Sequence, residues 1–570
     1  MSSIFEMDSV SHRSNVAVAS VLGKCELEAP PTDRKALEGH VATMRVWNWT
    51  AFISSLGRRR TLDEICELEE DDAEQVGPKL YLFDLLCIGV GSTVGSGVLV
   101  LSGNVLPVAG PAASLSWLIA GIVCLFTAFS YIELSSRIPT SGSCYVFCLH
   151  TFGELSAMLA ALCLTLEYSV SGAGVARTFS SLVFSLVGSE SMVWWYVEEE
   201  SRDSDMYFDS LAGILMGICV IIESSGLNVS KVFVNAMTVA KLWLVGFLIV
   251  AGMLASSSNI FASAAVFFPR GASGVAYGSS TLFFGFIGFD EVCCLSGRAV
   301  NPRDTMPKAL GGTLVIAALL SCAAQVAIAM AAGPVHGPTS WPEVFEARGW
   351  TVAKLITTAG EVMVLPLVVL LSFLPQPELL GAMGRDGVLP STFGHKDEQG
   401  KYRLGSLVSG VLSVLVAAVV PFNIMWGTIS LGVLVSFNLT NSALLMLRYG
   451  GRRFEMTYLL GILWLTGAVG SQSLWRGVVA PAFSGTPVSF ICLVVCVLSF
   501  AACAWVTVAM SRLTGEIPLI AEGTFLAPCV PFLQSASIVF NFIMMATTSW
   551  TDHVCFFVFV FVFMSLFLSC

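Results

Sequence analysis

Apolar runs of about 17 to 25 residues recur from Leu82 to the C-terminus of this 570-residue chain, each long enough to cross about 30 Å of hydrocarbon at 1.5 Å per helical residue. Few folds tolerate that pattern. A bilayer offers backbone N–H and C=O groups no partners, so a spanning segment is either a helix or part of a closed barrel. Runs this long without period-two alternation exclude the barrel. Composition agrees, since 55% hydrophobic residues, 12% charged residues and a mean hydropathy of +0.79 fit no soluble globular class. The sequence therefore predicts an all-α polytopic membrane protein with about fourteen transmembrane helices. Numbered in order, these spans are expected at 82–105, 112–133, 152–186, 209–225, 232–254, 275–297, 308–332, 352–378, 406–421, 424–447, 458–479, 488–511, 524–547 and 553–569.

Charge sets the orientation. With the N-terminus inside, Arg298, Arg303 and Lys308, then Arg385, Lys396, Lys401 and Arg403, then Arg448, Arg452 and Arg453 fall in cytoplasmic loops, as the positive-inside bias requires. The opposite loops hold Trp194-Trp195-Tyr196-Val197-Glu198-Glu199-Glu200 and a stretch from Gly333 to Thr351 with one arginine. Both termini are expected in the cytoplasm. Residues 1–79 read as a cytoplasmic N-terminal tail, with an acidic start and only a weak apolar run from Val16 to Leu22, unlike a cleaved signal peptide. A net charge of −11, with Arg58-Arg59-Arg60 the one basic cluster, gives no reason to expect nucleic acid as a partner. The six histidines are scattered and no cysteine spacing is of the zinc kind, so no metal site, cofactor or enzyme is expected. The seventeen cysteines lie mostly in apolar runs and read as small buried hydrophobes. Asn228-Val229-Ser230 and Asn438-Leu439-Thr440 match a glycosylation pattern, but the first falls in a predicted cytoplasmic loop and the second inside a span.

Two spans carry more glycine than a helix welcomes. In span 1, Gly89, Gly91, Gly95 and Gly97 fall within nine residues, each costing roughly 1 kcal/mol in helix propensity. One reading is close helix packing through Gly91 and Gly95. The other is an unwound stretch at the bilayer midplane, where the freed N–H groups of Ser96 and Gly97 hold a carboxylate and carbonyls near Thr93 accept from an ammonium group. Span 6 offers a second break at Phe283-Phe284-Gly285-Phe286-Ile287-Gly288-Phe289-Asp290. Spans 1 and 6 occupy corresponding places in two five-helix halves, the arrangement of a 5+5 inverted-repeat core with its site between broken helices.

Several separated phrases extend this reading to a family. Tyr131-Ile132-Glu133-Leu134 with Arg137-Ile138-Pro139-Thr140-Ser141-Gly142-Ser143, the phrase Gly285 to Asp290, Asn301-Pro302-Arg303-Asp304-Thr305-Met306-Pro307, Met383-Gly384-Arg385-Asp386-Gly387-Val388-Leu389-Pro390 and Pro528-Cys529-Val530-Pro531-Phe532-Leu533 resemble the cationic amino acid transporters of the amino acid, polyamine and organocation (APC) superfamily, over roughly residues 80 to 569. The resemblance implies a ten-helix transporter core over 80–450 and four peripheral transmembrane helices over 451–570. It also implies that Gly95, Ser96 and Gly97 bind a substrate α-carboxylate, that carbonyls of Thr93, Phe284, Gly285 and Ile287 receive the α-ammonium, and that Phe284 is an aromatic lid.

Charged residues inside the spans bear on coupling and gating. Lys241 falls near the middle of span 5, where an ammonium is expensive. It either snorkels to an interface or, as the resemblance implies, approaches unwound span 1 where sodium-coupled relatives bind sodium, favouring proton coupling. Glu167 in span 3 matches an acid of related proteins, with assistance to the proton or to the substrate amine on one side and a structural ion pair on the other as rival roles. Arg298 stands where the family usually has an acid, and Glu378 where it usually has an arginine. Either the pair survives as an inner gate with reversed polarity, or two solvated charges are unrelated. Glu361 in the outer part of span 8 either receives a cationic substrate side chain or caps the helix. The expected partners are the lipid bilayer, a proton and an amino acid, either arginine or lysine or a small neutral one. A transport-inactive amino acid sensor would carry the same binding residues. The plasma membrane is expected ahead of a vacuolar or lysosomal membrane, and an accessory subunit stays open.

Overall fold

The structure, a computed structural model, describes residues 59–60, 64, 79–95, 97–187, 208–225, 231–256, 259–333, 340–397, 400–420, 422–513 and 525–569. All of these belong to the unit Leu56–Cys570. Most of the predicted tail, and with it Asn228, lies outside the described residues.

Every predicted span contains helix, and no strand forms among the described residues beyond one isolated bridge pairing Leu80 with Ala299. The protein is an all-α polytopic membrane protein. Seven helices are long and apolar enough to cross a bilayer by themselves: Ser102–Arg137, Glu154–Phe184, Lys231–Leu254, Pro302–Ala332, Thr351–Arg385, Met425–Arg448 and Phe490–Arg512. An eighth arises if Phe532–Thr547 and Trp550–Ser565, which meet at 113°, count as one broken span. A count of fourteen crossings thus depends on the other helices, and these are shorter for identifiable reasons. Spans 1 and 6 are interrupted, while Ser210–Ser224 and Arg403–Val419, at 15 and 17 residues, reach roughly 22–26 Å. Arg453–Leu474 opens on Arg453 and Glu455. The outward faces are apolar where lipid would meet them, as at Trp243, Leu254, Leu319, Leu355, Leu415, Phe490 and Phe561, each more than half exposed.

The packing places early helices on later ones five positions along. Span 2, Ala113–Arg137, lies on span 7, Pro302–Ala332; span 3 lies on span 8; span 4 lies on span 9. Spans 1 and 6 meet through their breaks, where Gly97–Leu101 contacts Phe284–Phe286. Two interlocked five-helix halves would produce this set of contacts. Their polar glue is interhelical: Asn441 bonds Thr127, Ser130 and Ser537 at 2.7–3.2 Å, joining spans 2, 10 and 13. Asn438 is buried beside Asn541 at 2.9 Å, out of reach of glycosylation. At the C-terminal end of span 2 the buried Glu133 accepts from Arg448 at 2.9 and 2.5 Å and from the Ala527 N–H at 2.6 Å, and forms an ion pair with Arg137 at 2.8 Å. One carboxylate thereby ties core spans 2 and 10 to the segment that begins span 13.

Candidate substrate-binding site

Span 1 begins as the helix Leu82–Thr93, stops at Val94 and resumes as a π-helical turn over Gly97–Leu101. Glycine is needed here for space: a Cβ on Gly97 would stand 2.4 Å from the Gly285 Cα, and one on Gly285 would stand 2.2 Å from the Trp117 ring. Only two glycines let the breaks touch. Span 6 runs as Gly271–Phe283, tightens over Phe284–Phe286, becomes extended at Ile287 and turns through Gly288 at φ +109° before the short helix Glu291–Cys294. The Ser92 hydroxyl donates to the Gly288 carbonyl at 3.0 Å, fastening one break to the other. Just before span 1 the Leu80 N–H donates to the Arg298 carbonyl, and the Val300 N–H to the Leu80 carbonyl, both at 2.9 Å. The unwound groups on the outer side are met by side chains the sequence did not single out. Gln325 bonds the Ser102 carbonyl and the Trp117 indole, each at 3.0 Å, and the Trp341 indole reaches the Val98 carbonyl at 3.4 Å. Buried backbone groups need such partners.

Between the breaks lies a cavity of about 20 Å³, lined by Ser92, Thr93, Gly97, Ser171, Val175, Phe284, Ile287, Glu291, Val368 and Ser372, with room for about one water molecule. The walls have closed on the site. Of the residues assigned to a substrate, Thr93, Gly97, Phe284 and Ile287 line this cavity, and Gly95 and Gly285 flank it in the same two breaks. Ser96 lies outside the described residues. The Gly95 N–H donates to the Thr93 carbonyl at 3.0 Å, and the Ile287 N–H to the Phe284 carbonyl at 3.0 Å. The Gly95 N–H, expected to bind a carboxylate, thus bonds the Thr93 carbonyl, expected to receive an ammonium. Phe284 stacks on Trp426 of span 10 with ring centroids 4.2 Å apart.

Lys241 is fully buried, and its Nζ donates to the Gly91 carbonyl at 2.5 Å, just before the break. It points inward rather than snorkelling. Glu167, in a π-helical turn over Leu166–Val170, is also fully buried, with its carboxyl facing that of Asp290 rather than Lys241. The acid within electrostatic reach of Lys241 is Glu291, which sequence reasoning passed over because it lies one residue beyond the quoted phrase. Glu361 is buried in span 8 but does not line the cavity.

Arg298 and Glu378 form an ion pair across spans 6 and 8. The pair borders a second cavity of about 120 Å³ on the predicted cytoplasmic side, which Asp84, Glu223, Lys231 and Lys401 also line. Two further bridges cross there: Lys401 meets Glu223 at 3.2 Å, and Lys231 meets Asp84 at 3.8 Å. Charge of both signs therefore knits spans 1, 4, 5, 6 and 8 below the site. Nearby, Arg60 reaches Asp386 at 3.1 Å, giving one residue of the basic cluster a structural partner. Among the described residues no group of three or more histidine, cysteine or acidic side chains is arranged to hold a metal ion.

Comparison with known proteins gives the same placement. Residues 80–527 match the family model for amino acid permeases. Over 408 residues the chain is 33% identical to cationic amino acid transporter 3, mitochondrial, of Arabidopsis thaliana, covering 70% of this chain and 67% of that protein. Cationic amino acid transporter 4 of Homo sapiens is 30% identical over 408 residues, covering 70% and 64%. A methylthioribose transporter of Bacillus subtilis is 28% identical over 405 residues, covering 70% and 86%, so the wider group is not confined to amino acids. With glycine breaks in spans 1 and 6 facing one another and the match running from the start of span 1 into the peripheral helices, the chain belongs to the amino acid permeases of the APC superfamily, in the cationic amino acid transporter family.

Proposed function

We propose that this protein is an alternating-access amino acid transporter, carrying basic amino acids and coupled to protons, in the plasma membrane. The observation that carries the reading is the pair of broken helices whose backbone polar groups converge on one closed cavity. An amino acid enters with a carboxylate and an ammonium group. The amides of Gly95 and Gly97, flanking the start of a helical segment, suit the first, as the sequence also expects of Ser96, and the carbonyls of Thr93, Phe284, Gly285 and Ile287 suit the second. Binding then exchanges the Gly95–Thr93 bond for bonds to substrate, which couples occupancy to the shape of the breaks. Phe284 on Trp426 covers the cavity, and Arg298 with Glu378 closes the cytoplasmic route.

Lys241 supports proton coupling through its placement. A protonated Nζ makes a charge-assisted bond to the Gly91 carbonyl and holds the lower half of span 1, whereas the neutral amine holds it less strongly. Loss or gain of one proton at this position biases the break between two arrangements. The test is uptake of radiolabelled arginine, lysine and alanine into proteoliposomes, with and without an inward proton gradient, for wild type and Lys241→Ala. The expected result is gradient-stimulated uptake that falls by about tenfold or more in the variant, the worth of one charge-assisted bond. Uptake indifferent to the gradient in both proteins would remove proton coupling, and saturable binding without uptake would make the protein a sensor.

A further inference from the structure

Glu291 is a carboxylate without a role in the reading above. It is 2% exposed, lines the cavity, and its Oε2 has no hydrogen bond. Its carboxyl stands beside the hydroxyls of Ser92 and Ser372 and within electrostatic reach of Lys241. No ion pair joins it to Lys241, whose Nζ donates to the Gly91 carbonyl. The other acids of the region do not line the cavity: Glu167 and Asp290 face each other, both within electrostatic reach of Glu291, and Glu361 lies elsewhere in span 8.

Glu291 is the one acid that lines the cavity, and it makes no ion pair with the Lys241 ammonium within its reach. The α-carboxylate and α-ammonium of any amino acid are matched by backbone groups of the two breaks, so a zwitterion with a neutral side chain brings nothing for a third charge. A buried carboxylate with an open acceptor position is costly. A substrate with a cation at the end of its side chain relieves that cost, and a neutral one does not. We infer that Glu291 receives the side-chain cation of the substrate and makes the site selective for basic amino acids. The assignment rests on the proposed binding of an amino acid between spans 1 and 6. Ser171 and Val175 of span 3 and Val368 and Ser372 of span 8 are the remaining walls of the cavity, and these would move apart to admit the side chain.

Lysine and norleucine test this directly, because they share a backbone and a four-carbon side chain and differ in the terminal ammonium. Each is measured as a competitor of labelled lysine, both for uptake into proteoliposomes and for binding to the purified full-length protein, with wild type, Glu291→Gln and Glu291→Asp. Wild type should prefer lysine, Glu291→Gln should lose that preference by about tenfold or more, and Glu291→Asp should retain part of it. The substrate pair reads wild type alone, so the result does not depend on a variant folding. A wild type that takes lysine and norleucine equally overturns the assignment. A Glu291→Gln protein that weakens both ligands in parallel also overturns it, since that marks a structural acid. Lysine-selective binding without uptake would retain the assignment and refute transport, which keeps the two failures apart.

Discussion

At the scale of single residues, the account turns on glycines whose missing Cβ is a spatial requirement. Gly97 touches the backbone of Gly285, so Gly97→Ala forces the two breaks apart. It should lower stability by about 1–3 kcal/mol, the usual range for overpacking, and reduce substrate binding, read by thermal melts with and without lysine. A variant with wild-type ligand stabilisation would show that the contact between breaks is dispensable. The glycine cluster of span 1 was legible because four glycines in an apolar helix contradict propensity. Glu291 was not, since an acid beside Asp290 looks the same whether it faces a cavity or a neighbouring helix. Gln325 was equally hidden: its value lies in reaching Ser102 and Trp117, residues more than two hundred positions away. Lys241 was found by its expense in a membrane, and the structure places it at the Gly91 carbonyl.

At the scale of elements, spans 6 and 8 meet through Arg298 and Glu378, two positions whose signs the sequence resemblance reads as exchanged relative to the family. That exchange hinted at a partnership, and the ion pair joins the two residues. Its gating role is open to test by charge reversal. Arg298→Glu and Glu378→Arg, each placing like charges together, should lower uptake several-fold, while the double reversal should recover most of it; like charges so juxtaposed cost on the order of the pair's own attraction. A double variant no better than the singles would leave two unrelated charges. The bridges from Lys401 to Glu223 and from Lys231 to Asp84 were invisible in sequence because their partners sit at helix ends joined only by the fold. If the proposed cycle opens this cavity by moving spans 1 and 6 from span 8, the Arg298–Glu378 bridge is the contact that motion would break.

At the scale of the whole molecule, hydropathy located the helices and could not count the crossings. Breaks in spans 1 and 6 divide long apolar runs into pieces too short to cross alone, and the 113° bend between the last two helices turns a pair of predicted spans into a different shape. The pairing of spans 2, 3 and 4 with spans 7, 8 and 9 arises without sequence identity between the halves, because helix packing needs matching surfaces and not matching residues. What the fold offers is a single closed site between two discontinuous helices, and the central claim is that an amino acid crosses the bilayer through it. The most direct measurement is counterflow: entry of labelled arginine into proteoliposomes preloaded with unlabelled arginine at equal pH on both sides. The account predicts saturable entry well above protein-free vesicles, because a site that opens alternately exchanges label for unlabelled substrate without a driving gradient. Binding of labelled arginine with no entry would contradict it.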